Sequence, residues 1–219
     1  MSIPGETMLT VHHLGKSQSE RIVWLCEELA IPYELKRYTR DAVTMLAPPD
    51  YKALHGIGAA PVITDGDLVL AESGAVVEYI VAKYGKGRLT VGAGDPAFAQ
   101  FLYWFHFANG TLQAAMGRLM ILNRLKLGDD NPILAAMRTR VDRAFDLVDA
   151  RLREAEYLAG PFTTADIMIV FSLTTMRYFQ AYDIARCPNV AAYLARIGAR
   201  PAYKRAMEKG DPGMALLLT

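Results

Sequence analysis

Gly58-Ala59-Ala60-Pro61-Val62-Ile63-Thr64-Asp65-Gly66-Asp67-Leu68-Val69-Leu70-Ala71-Glu72-Ser73 is the stretch that decides how the first third of the chain folds. Val62–Thr64 and Leu68–Leu70 are short apolar runs rich in strand formers. Asp65-Gly66-Asp67 between them is a turn signal, so the pair reads as a β-hairpin. Pro61 stands before the first strand, where its missing N–H is tolerated. Glu72-Ser73 supply an acidic group and a hydroxyl at a helix start. That helix runs to about Tyr84, with Ala75, Val76, Tyr79, Ile80 and Tyr84 as its expected buried stripe.

Upstream, Met8–His12 reads as a strand and Gly15 as a turn. Ser17 and Ser19 then stand where caps are needed for a helix over Glu20–Ala30, which Pro32 ends. Tyr33–Tyr38 alternates as a second strand, and Asp41–Leu54 reads as a loop with a short helix. Downstream, Gly85–Pro96 (GKGRLTVGAGDP) has linker composition, and strand signals vanish after it. Helical patterns follow over Phe98–Leu127, Ile133–Glu156, Asp166–Tyr182, Val190–Ala199 and Ala202–Lys209. The fold class is therefore α/β followed by all-α. The order is βαβ, a helix, a ββ hairpin and a helix over residues 8–85, then a linker over 86–96 and a helical bundle over 97–219.

Of the 219 residues, Lys and Arg number 24 and Asp and Glu 23, for a net charge of +1. That balance argues against a nucleic-acid partner and against a polybasic membrane surface. Hydrophobic residues make up 52%. That slight excess suits a large core or an apolar interface, since no run nears the roughly 18 apolar residues of a span. The 2 cysteines, Cys26 and Cys187, form no CxxC pair and no zinc-type spacing. Met1–Thr7 lacks the basic and apolar regions of a leader, so a cytoplasmic location is expected.

Three motifs in order, Ser17-Gln18-Ser19-Glu20-Arg21, Ala60-Pro61-Val62 and Glu72-Ser73, resemble the soluble glutathione transferase family, in its Ser-type branch. The resemblance spans the chain beyond Thr7. It implies a thioredoxin-like first domain, a helical second domain and a homodimer that uses glutathione as co-substrate. No metal is implied.

Ser17 matches the family's catalytic Ser, four residues before Arg21. Glutathione reacts as a thiolate, and a hydroxyl donor beside a helix N-terminus stabilises that anion. Ser19 is the next candidate for the same role, and either serine also suits a plain helix cap. His13 lies close enough in sequence to touch the thiol. In the thioredoxin-like fold the Ala60-Pro61 bond is expected to be cis. It would leave Val62 to pair its backbone with the cysteinyl part of glutathione as an added strand. Glu72 would pair with the γ-glutamyl ammonium, and Ser73 with its carboxylate at the helix start. The family often places a cation two residues before the Pro, where this chain has Ala59. Lys52, His55 and Arg40 are the alternatives for the glycyl carboxylate. Thr163 and Asp166 resemble a capping box in the helical part, a folding feature. Phe107, Met116 and Tyr178 are candidates for the electrophile pocket, Cys26 reads as buried, and Cys187 has no assigned role.

The function implied is attack of the glutathione thiolate on a small hydrophobic electrophile, with peroxide reduction as a side activity. Two alternatives are a non-catalytic binding or regulatory protein and a glutathione-dependent isomerase or dehalogenase. Neither nucleic acid nor membrane is an expected partner.

Overall fold

The computed structural model describes residues 8–128 and 130–219. The reading of Met1–Thr7 falls outside them. The chain forms two compact units, residues 8–88 with 200–215, and residues 89–199 with 216–219.

The first unit holds a four-stranded mixed sheet in the order β2-β1-β3-β4. Its strands are β1 (Thr10–Leu14), β2 (Glu34–Tyr38), β3 (Val62–Asp65) and β4 (Leu68–Ala71). β1 runs parallel to β2 and antiparallel to β3, and β3 pairs antiparallel with β4. Asp65-Gly66-Asp67 makes the expected hairpin, with Gly66 at φ 61°. The first strand starts two residues later than the sequence suggests, because Thr10 is the first residue in register with a β2 partner, Glu34. Helices α1 (Glu20–Leu29), α2 (Pro49–Lys52) and α3 (Ser73–Lys83) complete the expected order. The buried stripe of α3 is Val76, Val77, Ile80 and Val81. Ala75 is exposed instead, because the face packed inward is rotated by about one residue from the expected one.

Ile22, Val23, Trp24, Leu25, Cys26 and Leu29 on α1 are all buried. Glu20, Arg21 and Glu27 are buried too, and a helix buried on nearly every face must be covered on two sides. The second cover is the last helix (Pro201–Gly210), which therefore belongs to this unit and not to the helical part predicted over 97–219. Trp24 meets Tyr203 edge-on at 4.9 Å. Glu28 is held bidentately by Arg200 at 2.7 and 2.9 Å. Glu27 accepts from Arg205 at 2.9 Å, Lys209 at 2.5 Å and Tyr33 at 2.7 Å.

The second unit is helical. α4 (Phe98–Phe107) passes through a π-helical turn (Ala108–Gln113) into α5 (Ala114–Arg124). These form one continuous run, as the unbroken pattern predicts. α6 (Pro132–Glu154), α7 (Thr164–Leu173) and α8 (Pro188–Ala199) follow, and Pro201–Gly210 of the first unit is α9. α7 stops short of the predicted Tyr182. Thr174 leaves helical geometry (φ −123°, ψ −95°) and its hydroxyl bonds back to the Val170 carbonyl at 2.8 Å. The capping box is present. Thr163 Oγ1 accepts from the Ala165 N–H at 3.3 Å, and Asp166 Oδ2 accepts from the Thr163 N–H at 2.9 Å. Among the described residues no helix is long and apolar enough to cross a membrane.

Candidate functional site

The residues named from the sequence for glutathione all lie in the first unit, with His13, Ser17 and Ser19 at the turn that leaves β1. Gly15 and Lys16 carry the chain from Leu14 to Ser17. Lys16 adopts a left-handed backbone (φ 52°), and its N–H donates to Asp211 Oδ1 at 3.0 Å. Arg40 braces this turn by donating to the carbonyls of Gly15 (2.8 Å), Lys16 (3.2 Å) and Met45 (2.8 Å). Its guanidinium is thereby committed to the loop, which sets it apart from the cation wanted for a glycyl carboxylate.

Ser17 and Ser19 are buried, at 4% and 0% exposure. Their hydroxyl oxygens lie 2.7 Å apart, and Ser17 Oγ accepts from the Ser19 N–H at 3.2 Å. Ser19 does not cap α1 through its side chain. Its own backbone is already helical (φ −67°, ψ −16°), whereas a capping hydroxyl needs an extended residue. Ser19 Oγ instead turns back to β1, where it accepts from the Leu14 N–H at 3.1 Å and lies 3.0 Å from His13 Nδ1. The other ring nitrogen of His13 meets Asp211 Oδ2 at 3.0 Å. The neighbouring His12 points to the opposite face of the strand. It bonds Tyr38 Oη (3.0 Å) and Thr64 Oγ1 (3.2 Å), and burial lowers its pKa. It is a satisfied core histidine.

The Ala60-Pro61 bond is cis. Val62 pairs with His12 in the sheet, so the Ala60-Pro61 turn lies beside the end of β1 and the serine loop. Val62 is 1% exposed, and the fully buried Tyr51 donates its hydroxyl to the His12 carbonyl at 3.3 Å. The half-buried Ala60 is more accessible than Val62 at the cis turn.

Glu72, at the start of α3, is exposed and holds φ 71°. A positive φ is costly for a residue with a Cβ, by about 1–3 kcal/mol, and such outliers concentrate at ligand clamps. Ser73 follows, 2% exposed. Its hydroxyl accepts from Arg21 Nη1 at 3.1 Å, and the same nitrogen donates to Gln18 Oε1 at 2.7 Å. Arg21 is fully buried, and burial lowers its pKa to about 9 against the opposing pull of Glu20. The Arg21 guanidinium thus ties the serine loop to the start of α3. His55, half-buried, accepts from the Ile57 N–H at 3.2 Å and closes its own turn. Lys52 and Ala59 are exposed.

The pocket candidates separate. Phe107 lines an open hollow of about 510 Å³ in the helical unit with Leu102, Tyr103, His106, Thr111 and Leu147. Met116 is fully buried core. Tyr178 is exposed at 41% and lies apart from that hollow. Cys26 and Cys187 are both free and buried. Among the described residues no group of three or more His, Cys, Asp or Glu is placed to hold a metal ion.

Sequence reasoning missed three residues of this arrangement. Gln18 and Arg21 stood inside the first motif without a role. Asp211 carried no signal, because it meets His13 across 198 residues of chain.

With this geometry in hand, comparison with known proteins is direct. Residues 6–82 match the family model for the glutathione S-transferase N-terminal domain, and residues 131–196 that for the C-terminal domain. Glutathione S-transferase 3 of Schizosaccharomyces pombe is 29% identical over 97% of this chain and 92% of its own length. Glutathione S-transferase GstB of Escherichia coli is 30% identical over 86% of this chain and 91% of its own. Among solved structures, a glutathione S-transferase from Actinobacillus pleuropneumoniae has a TM-score of 0.85 at 33% identity, with 93% of each chain covered. A glutathione transferase family member from Pseudomonas fluorescens, solved with two glutathione bound, shares the fold at 23% identity and a TM-score of 0.77, over 94% of this chain and 95% of that one. A thioredoxin-like domain with a cis-Pro, joined in sequence to a helical domain, defines the class. The chain belongs to the glutathione S-transferase family.

Proposed function

We propose that this protein is a glutathione transferase of the Ser-type branch, which joins the glutathione thiolate to a small hydrophobic electrophile. The observation that carries the reading is the Ser17 hydroxyl at the N-terminal end of α1, where a hydroxyl, the helix N–H groups and the helix dipole act together on one anion. A thiol near 8.5, the ordinary value for a cysteine-type group, is mostly protonated at neutral pH, so activation is the main chemical task. Glutathione would lie along the Ala60-Pro61 turn. Its γ-glutamyl end would meet the Ser73 hydroxyl and the start of α3, with Glu72 on the ammonium. Lys52, exposed, or His55 would serve the glycyl carboxylate. The same thiolate supports peroxide reduction as a side activity. A homodimer and a cytoplasmic location complete the proposal, the latter in keeping with two free, buried cysteines.

The test is retention on immobilised glutathione, followed by conjugation of glutathione to a reactive aryl halide. Retention with turnover above the uncatalysed rate supports the reading. Retention without turnover on any electrophile favours a binding protein, and neither retention nor turnover refutes glutathione use.

A further inference from the structure

We infer that Ser17, Ser19, His13 and Asp211 form a proton relay that carries the proton of bound glutathione from its sulfur to His13. The inference rests on the assignment of Ser17 to the thiol. Its basis is hydrogen-bond polarity.

An ionised carboxylate only accepts, so Asp211 Oδ2 at 3.0 Å places the proton of neutral His13 on Nε2. His13 Nδ1 is then an acceptor, and Ser19 Oγ at 3.0 Å must donate to it. Donation to the Leu14 carbonyl at 3.3 Å instead would set two lone pairs against each other across the shorter contact. With its one proton given to His13, Ser19 Oγ accepts from the Leu14 N–H and from the Ser17 hydroxyl at 2.7 Å. Ser17 Oγ, its proton turned inward and one lone pair taken by the Ser19 N–H, keeps one lone pair. In this state Ser17 is an acceptor, and a thiol beside it donates S–H to it.

The step balances. The S–H bond breaks and its proton forms a new O–H on Ser17. The original Ser17 proton passes to Ser19, and the Ser19 proton passes to His13 Nδ1. No electrons are exchanged. The products are a thiolate that accepts from the Ser17 O–H and an imidazolium paired with the Asp211 carboxylate. One proton has moved inward, and every hydroxyl in the chain has reversed.

The fold is closed tightly around this line. A Cβ at Gly210 would fall 3.1 Å from His13 Nε2, and one at Gly15 would fall 3.2 Å from Asp211 Oδ1. The Lys16 N–H fixes the second oxygen of Asp211. The ionisable groups facing the relay are Asp211, from the segment after α9, and Arg40, from the segment after β2, whose charge acts on Asp211 while it braces the Gly15–Lys16 turn. His13, Ser19 and Asp211 are positioning residues in this scheme, and Ser17 alone touches sulfur.

The experiment uses the intact wild-type protein. The chain has 4 histidines, so the His13 ring nitrogens are assignable by nitrogen-15 NMR. Without glutathione, His13 should be the neutral Nε2–H tautomer. With glutathione bound at pH 6.5 it should be the imidazolium, while calorimetry in two buffers of different ionisation enthalpy counts less than about half a proton released. Asp211→Asn and His13→Gln should each lower the thiolate fraction by about tenfold, one pK unit, with glutathione affinity within about twofold. If a thiolate forms in the wild type while His13 stays neutral and a full proton is released, the relay is wrong and thiol activation by Ser17 stands. If no thiolate forms on binding, both are wrong. The wild-type measurements decide even where a variant fails to fold.

Discussion

Replacing Asp166 by Ala tests whether the capping box of α7 is a folding device. The carboxylate is fully buried and accepts from the Thr163 N–H at 2.9 Å, the Leu158 N–H at 3.1 Å and the Tyr193 hydroxyl at 3.0 Å. Its removal leaves those three buried donors without this acceptor, at about 1–3 kcal/mol each, besides the longer contact from the Thr163 hydroxyl at 3.4 Å. Relief of the carboxylate's own desolvation offsets part of that, so we expect a net loss of about 3 kcal/mol at pH 7. The pH dependence sharpens the test. Burial pushes Asp166 up to about 6, against hydrogen bonds from Thr163, Leu158 and Tyr193 that pull the other way. A folded value above the unfolded one, about 3.9, contributes stability at low pH that is lost as pH rises through about 6. Wild type should therefore gain about 1.4 kcal/mol between pH 7 and pH 5 from this group alone, and Asp166→Ala should lack that gain. Urea unfolding followed by circular dichroism at both pH values reads the difference, with glutathione retention as control. A loss below about 1 kcal/mol at pH 7, or a pH-independent difference between the two proteins, would refute the reasoning. So would lost glutathione affinity in a variant of undiminished stability.

Three further outcomes follow from the same structure. Ser73→Ala, which removes the hydroxyl at the start of α3, should weaken glutathione binding about tenfold by calorimetry while shifting stability by less than about 1 kcal/mol. Glu27→Ala should loosen α9 from α1 at a cost of about 1–2 kcal/mol, discounted because Arg205 and Lys209 are half exposed, and hydrogen exchange in α9 should quicken. Burial opposes ionisation of Glu27, but bonds from Lys209, Arg205 and Tyr33 hold its pKa down, so its contribution should be present at neutral pH and lost below about pH 4. Burial raises the Cys26 thiol far above its usual range and pushes Cys187 up to about 11, so neither should react with a disulfide reagent at pH 8 until urea unfolds the chain.

The hairpin at Asp65-Gly66-Asp67 and the start of α3 were legible because turn chemistry and helix-start chemistry are local. The cis bond at Pro61 was legible only through the family resemblance. The backward turn of the Ser19 hydroxyl was not legible, because a serine before a helix carries the same letters whether its hydroxyl turns forward to cap or back to the strand. Nothing in the sequence couples Asp211 to His13, since an apolar α1 face announces that a cover is needed without saying which helix supplies it. The rotation of α3 that buries Val77 in place of Ala75 is set by the sheet it packs on, which helical periodicity alone does not contain.

The central claim is that the Ser17 hydroxyl stabilises the glutathione thiolate, and thiolate absorbance of bound glutathione tests it most directly. Titrated between pH 5 and 9, the wild-type complex should ionise at least about one unit below the free thiol, and the Ser17→Ala complex should return to near the free value of about 8.5. Identical titration curves for the two proteins, with glutathione bound equally, would contradict the account.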